Sequence, residues 1–227
     1  LQHGKFGFID KTGTMVIPPT FYYAQQQGDS EEIKRVMIES WWSLKKKWYF
    51  IDRTGKVLQT PLVDGIGIFS EGLAFVVVRN KWGYIDTTGK VVIPFQFDEA
   101  RRFREGLAVI KIHDKRGFID KTGRIVIPPK FDFAWDFSEG MAPVRINNQW
   151  GCIDTTGTII ISPQFTEFGL FNEGLAYIRT NNLYGFIDKL GHMVISPQFD
   201  WVRDFSDGLA AVKYSDGKWG FIDKTGK

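Results

Sequence analysis

Cysteine occurs once in the chain, at Cys152, and histidine only at His3, His113 and His192. A lone thiol excludes an intrachain disulfide framework and a multi-cysteine metal site. Cys152 sits in an apolar strand pattern where other copies carry Phe or Tyr, so it is expected to be a core thiol. The three histidines share no repeat position and no ligand-type spacing, so they read as exposed turn residues and no metal is expected. No run is long and apolar enough to span a bilayer, so membrane insertion is not expected and the chain reads as soluble. The formal net charge is only +3, with both signs interspersed. A nucleic-acid footprint needs a clustered basic face, and none is present. No signal peptide is visible, but residue 1 is Leu and the first residues already lie inside a repeat, so this says little about compartment.

What the chain has is a period. Aspartates that follow an aromatic-aliphatic pair fall at Asp10, Asp52, Asp86, Asp120, Asp154, Asp188 and Asp223. The spacing is 42, then 34 four times, then 35. Such regularity marks a repeat architecture, here one domain over residues 1–227. The best copies of the first element are Trp82-Gly83-Tyr84-Ile85-Asp86, Trp150-Gly151-Cys152-Ile153-Asp154 and Trp219-Gly220-Phe221-Ile222-Asp223. A Thr-Gly pair follows, as in Thr88-Gly89, then a β-branched run ending in Pro, as in Val91-Val92-Ile93-Pro94. Each period closes with Glu-Gly-Leu-Ala or a near variant, as in Glu105-Gly106-Leu107-Ala108.

Runs of Val, Ile and aromatics bounded by Gly, Pro and Asn are strand signals. Asp-x-Thr-Gly between two runs is a hairpin turn: the Asp accepts from nearby backbone N–H groups and Gly supplies a positive φ. Pro cannot donate to a ladder, so the β-branched run after that turn is expected to end there. Each period therefore predicts a three-stranded antiparallel meander. The Gly-Leu-Ala strand is apolar on both faces, which predicts stacking of neighbouring units. The Gly of Trp-Gly is expected to admit a ring or backbone from the adjacent unit. One such sheet buries too little apolar surface to stand alone. The predicted fold is all-β, an open superhelical array of units of about 34 residues. The alternative is a closed ring resembling a six-bladed β-propeller, whose blades have four strands and more residues.

Repeated Lys-Trp-Gly-aromatic-Ile-Asp-x-Thr-Gly-Lys, then Val-Ile-x-Pro-x-Phe-Asp and Phe-x-Glu-Gly-Leu-Ala, resembles the WG-repeat family, also called KWG repeats. Phe6, Arg116 and Tyr184 depart from it at the Trp position, and Tyr49 at the Gly position. The resemblance implies a bacterial β-repeat module without family-wide catalytic residues, often in exported or multidomain proteins. An exported or cell-surface location is accordingly favoured over the cytoplasm.

Asp-Thr-Thr-Gly at 86–89 and 154–157 superficially matches the aspartic-protease motif, but those enzymes need two carboxylates in one cleft. A motif that recurs in every unit is a turn. No phosphate loop, nucleophile elbow or paired acid stands out, so no enzyme and no cofactor are expected. The most variable stretch lies between two Phe positions: 99–102, 133–136, 167–170 and 201–204. Variable residues on a repeated scaffold are where specificity lives, and Trp135, Trp201, Arg101 and Arg203 are binding candidates of hot-spot type. Their competing role is to seal the stack. The first unit, 1–46, is atypical: Ser30 with Glu31-Glu32 predicts a short helix through Val36, followed by Trp41-Trp42 as a further candidate contact. Atypical terminal units are commonly caps. The expected function is a protein-interaction or scaffolding surface, with a carbohydrate or cell-wall binder using exposed aromatics as the alternative. Thr225-Gly226-Lys227 falls in mid-hairpin, which predicts that the array continues.

Overall fold

The computed structural model describes residues 4–26, 34–39, 46–52, 54–56 and 63–227. Among the described residues there are strands and turns but no helix, and no sheet closes into a barrel. The strands are β1 (Phe6–Ile9), β2 (Met15–Phe21), β3 (Tyr23–Gln26), β4 (Lys34–Glu39), β5 (Lys46–Ile51), β6 (Gly65–Ile66), β7 (Leu73–Val78), β8 (Lys81–Asp86), β9 (Val91–Phe97) and β10 (Glu99–Ala100). They continue with β11 (Leu107–Ile112), β12 (Lys115–Asp120), β13 (Ile125–Phe131), β14 (Phe133–Ala134), β15 (Met141–Ile146), β16 (Gln149–Asp154) and β17 (Ile159–Phe165). The last are β18 (Glu167–Phe168), β19 (Ala176–Thr180), β20 (Leu183–Ile187), β21 (Met193–Phe199), β22 (Trp201–Val202), β23 (Leu209–Lys213) and β24 (Trp219–Asp223).

Two compact units divide the chain: residues 1–103 with 121–123, and residues 104–120 with 124–227. The first unit holds the sheets β1-β2, β3-β4-β5 and β6-β7-β8-β9; the second holds β14-β15-β16-β17, β18-β19-β20-β21 and β22-β23-β24 besides the meander β11-β12-β13. All neighbours run antiparallel, as the short turns require.

Each complete sheet has a strand more than the sequence pattern predicts. The extra one is two residues long and lies in the variable stretch, where Phe133 pairs with Arg145 and Ala134 with Val144. A pair of residues is too short for alternation to reveal.

Proline does not end the third strand. In β9, Ile93 pairs with Tyr84 and Phe97 with Trp82, so two steps on β8 face four on β9. Pro94 lies within the resulting bulge, where no ladder hydrogen bond is lost. The bulge also accounts for the glycine of Trp-Gly. A Cβ on Gly83 would stand 2.5 Å from the Ile93 carbonyl oxygen and 2.9 Å from the Pro94 carbonyl carbon. The close approach therefore comes from the next strand of the same sheet, not from the adjacent unit as the sequence suggests.

Neighbouring sheets do stack. In the second unit Val109, Phe118, Ile127 and Phe131 from one sheet pack with Ala134, Phe137, Ala142, Val144 and Ile153 from the next. The same arrangement recurs one sheet on, where Cys152, Ile161 and Phe165 meet Phe168, Phe171, Ala176 and Ile178. Cys152 is fully buried, and burial pushes its thiol up to about 12, so it is a core residue as expected.

The segment expected to be helical through Val36 is strand β4, held between β3 and β5. Val36 is fully buried. β4 occupies the Gly-Leu-Ala position without that sequence, so pairing along both edges, to β3 and β5, outweighed the capping signal. Ser30, Glu31 and Glu32 lie outside the described residues.

Candidate functional site

The turns come first, because they set what the sheet ends can display. Asp154 Oδ1 accepts from Thr156 N at 2.9 Å, Thr156 Oγ1 at 2.6 Å and Thr158 N at 3.0 Å. The Thr156 hydroxyl bond is the largest influence holding this carboxyl below its ordinary range. Asp86 makes the equivalent bonds to Thr88 and Lys90. These aspartates organise their own turns. His113, at φ 46°, and His192, bonded to Asp188 at 3.0 Å, are exposed turn residues, as expected.

The Glu of Glu-Gly-Leu-Ala does more than open a strand. Glu139 adopts φ 53°, left-handed for a side chain that rarely goes there. In the second unit Glu105 accepts from the backbone N–H groups of Glu139 at 2.6 Å and Gly140 at 2.8 Å. Glu139 accepts in turn from Gly174 N at 3.0 Å, and Glu173 from Gly208 N at 3.0 Å. Lys189 and Lys224 add ion pairs to Glu139 and Glu173 at 3.1 and 2.9 Å. The glutamates are thus inter-sheet links, each carboxylate seated on the turn of the following sheet.

The candidate binding residues separate into groups. Trp135 is 38% exposed and lies near-parallel to Trp150, with ring centres 6.4 Å apart and planes at 14°. Phe133 meets both rings edge-on. The guanidinium of Arg116 lies 4.1 Å over Phe133, and that of Arg145 lies 5.7 Å from both Phe133 and Trp150. Trp201 is 40% exposed, with Arg203 at 5.7 Å over its ring and Trp219 edge-on at 5.2 Å. Between these groups, Arg179 bonds Glu167 at 2.6 Å and lies 5.3 Å over Tyr184, whose hydroxyl donates to Glu167 at 2.7 Å. Burial first, and then this bond, raises the Tyr184 phenol to about 12. Arg101 belongs to the first unit, half-buried, and its carbonyl accepts from the Tyr84 hydroxyl at 2.6 Å. Trp41 and Trp42 lie outside the described residues.

Tyr177, Arg145 and Arg179 belong to this surface and were not singled out by the sequence. For Tyr177 the signal is a pairing inside the repeat at a distance of eight residues, to Gly169; the two arginines sit in strands that otherwise read as core. A Cβ on Gly67 would run into the Phe75 ring, and one on Gly169 into the Tyr177 ring. Trp135 N donates to Pro143 O and Arg203 N to Ala211 O across the same two strands. The pairs Gly67–Phe75, Trp135–Pro143, Gly169–Tyr177 and Arg203–Ala211 each set one large group over a small partner. The outward part of the sheet thus keeps one broad side chain whichever strand supplies it.

Among the described residues, no group of three or more His, Cys, Asp or Glu is placed to hold a metal ion. No helix of the described chain is long and apolar enough to cross a membrane.

With this repeat geometry established, the sequence profile of the WG-containing repeat matches residues 6–26, 50–82, 82–115, 117–150, 150–184 and 184–219. The chain belongs to the WG-repeat family. No curated protein matches it. Among solved structures, a eukaryotic initiation factor aligns over 97% of this chain and 69% of its own, at 11% identity and TM-score 0.62. Hsv2 of Kluyveromyces lactis aligns over 86% and 70%, at 9% identity and TM-score 0.50. The extracellular domain of the hybrid two-component system BT4673 of B. thetaiotaomicron aligns over 86% of this chain and 32% of its own, at 12% identity and TM-score 0.44. At such identities the first two likenesses concern the fold alone. The matched ranges leave β4 and residues 46–49 of β5 outside the repeat profile.

Proposed function

We propose that this WG-repeat chain is a non-catalytic module whose aromatic and arginine-bearing sheet surface docks a protein partner. One observation carries the reading. Two sheets of the second unit expose a tryptophan in an aromatic and arginine setting: Trp135 beside Trp150, whose ring has Arg145 at 5.7 Å, and Trp201 with Arg203 at 5.7 Å, while the sheet between them sets Arg179 beside the buried Tyr184. Trp, Tyr and Arg dominate interface hot spots because a broad, rigid side chain buries much area for little lost conformational freedom. The links below this surface hold it in place, since turn aspartates and inter-sheet glutamates fix each sheet end by several hydrogen bonds.

A carbohydrate ligand is the second reading, favoured by the exposure of Trp135, Trp201 and Trp219. Rings used for sugar stacking must be open on one face, so the reading depends on the exposed part of each ring being a face. An exported or cell-surface location goes with either reading and rests on the family resemblance.

The test compares wild type with the Trp135→Ala/Trp201→Ala double variant in quantitative affinity capture, alongside a glycan array. A protein partner retained by wild type and depleted at least tenfold by the variant supports docking. Selective glycan binding lost in the variant, with no protein depleted, moves the function to sugar recognition.

A further inference from the structure

Two neighbouring sheets of the second unit place an arginine at the same repeat position and treat its charge differently. Arg179 on β19 stands opposite Glu167 of β18 and Tyr184 of β20. Glu167 Oε1 accepts from Arg179 Nη1 at 2.6 Å, and Glu167 Oε2 accepts from the Tyr184 hydroxyl at 2.7 Å. That cation has a carboxylate of its own, supplied by the short variable strand. One sheet earlier, Arg145 on β15 stands opposite Phe133 of β14 and Trp150 of β16. Phe133 occupies the position of Glu167, so two rings, each 5.7 Å from the guanidinium, stand where the acid would be. Nε of Arg145 is buried without a hydrogen-bond partner, and among the described residues its guanidinium enters no ion pair. Nε of Arg179 is unpartnered too, so the two arginines differ at their outer nitrogens. Asp132, beside β14, is already engaged, with Oδ1 facing the Lys115 ammonium and Oδ2 accepting from Asn147 N at 2.8 Å.

We propose that Arg145 receives a carboxylate from an acidic peptide segment of the docked partner, in the place that Glu167 takes on the next sheet. This rests on the docking reading above and names the chemistry of the occupant. A guanidinium held against rings keeps its fork of donors pre-organised, and its hydrogen bonds to a carboxylate are about twice as strong as neutral ones. A half-buried cation left unpaired carries a desolvation cost that an incoming carboxylate offsets. Arg116, 4.1 Å over Phe133, adds a second positive charge beside the same ring. Trp135, 38% exposed and near-parallel to Trp150, offers an apolar wall to the residue next to that carboxylate. The partner segment is therefore an acidic residue flanked by an apolar one, as Glu167 is by Phe168.

The probe is a capped peptide reproducing residues 164–170, Gln-Phe-Thr-Glu-Phe-Gly-Leu, added to the full chain beside the same peptide with Gln in place of Glu. Expected are saturable binding of the Glu peptide, followed by Trp fluorescence, and affinity about tenfold lower or less for the Gln peptide. Arg145→Gln should weaken binding of the Glu peptide by about tenfold or more. Arg124→Gln, which removes the same charge from an exposed position, should leave it unchanged. Phe133→Glu should also abolish binding, because it rebuilds the Glu167 arrangement and occupies Arg145 from within. Melting curves show whether each variant is folded, and either one alone carries the test. Absence of saturable binding would overturn the proposal. So would equal affinity for the two peptides, or a loss no larger in Arg145→Gln than in Arg124→Gln. An oligogalacturonate bound through Arg145 when the peptide is not would overturn it in favour of an acidic sugar. A captured partner retained equally by wild type and Arg145→Gln would overturn it and leave the docking reading standing. Arg145-dependent peptide binding in a chain that captures no protein would instead support the carboxylate site and remove the docking reading.

Discussion

Two sheets of the second unit share a sequence pattern and differ in their surroundings. β18-β19-β20-β21 and β22-β23-β24 both carry an aromatic-Gly-Phe-Ile-Asp strand, yet Phe186 is fully buried and Phe221 is 72% exposed. Phe186 packs on Phe205 of the following sheet with ring centres 4.8 Å apart. Phe221 has no such sheet against it. The comparison teaches that the motif encodes the strand and its turn, while burial of the aromatic is conferred by the neighbour.

Truncation should expose this difference most strongly. Phe186→Ala is expected to destabilise the second unit by about 3–5 kcal/mol, and Phe221→Ala by at most about 0.5 kcal/mol. Urea denaturation of the two variants checks it, and equal losses would mean that Phe221 is covered in solution. The glycines should follow with a smaller gap. Gly151→Ala forces a methyl into the β17 bulge, at a cost of about 2–4 kcal/mol, whereas Gly220→Ala should be neutral within about 0.5 kcal/mol.

The glutamate links sharpen the comparison through pH. Burial pushes the Glu139 carboxyl up, but the bonds from Lys189 and Gly174 N outweigh it and leave the value below the ordinary 4.5. A carboxyl depressed in the folded state stabilises the fold above its unfolded value, and that contribution disappears as pH falls through the folded value. Melting curves should therefore decline below about pH 4.5, and less so in Glu139→Gln. At neutral pH that substitution is expected to cost about 0.5–1 kcal/mol, discounted for solvent screening of a partly exposed pair. Smallest of all should be Trp135→Ala, within about 0.5 kcal/mol in stability, because Trp135 stands at the surface. A melting temperature lowered by many degrees would instead assign Trp135 to sealing the stack.

Much of this architecture is legible without coordinates. The seven aspartates give the period, and Asp-x-Thr-Gly gives a turn whose hydrogen bonds are those its chemistry predicts. Strand β4 was illegible because Lys34-Arg35-Val36-Met37-Ile38-Glu39 lacks the Gly-Leu-Ala sequence of its repeat position and shows no period-two alternation, so only its pairing with β3 and β5 marks it as a strand. The bulge at Pro94 was illegible for a different reason. Proline removes a donor, which reads as a strand end unless one knows that the ladder skips that residue. Of the surface, Trp135, Trp201 and Arg203 stood out through variability, whereas Arg145 and Arg179 did not, because they sit in strands that otherwise read as core.

By itself the sequence determined the repeat, the strand and turn chemistry and the family, since the first and last are spacings and motifs along the chain and the chemistry of each strand and turn lies in neighbouring residues. Only the tertiary structure decided that Glu105, Glu139 and Glu173 tie one sheet to the next, because each carboxylate meets N–H groups of a turn some 34 or 35 residues away. It also decided that Trp-Gly is shaped by a bulge in its own sheet, and that Phe186 is hidden while Phe221 is not. Burial and close approach depend on which surfaces meet, and that is fixed by packing between sheets that local sequence cannot see.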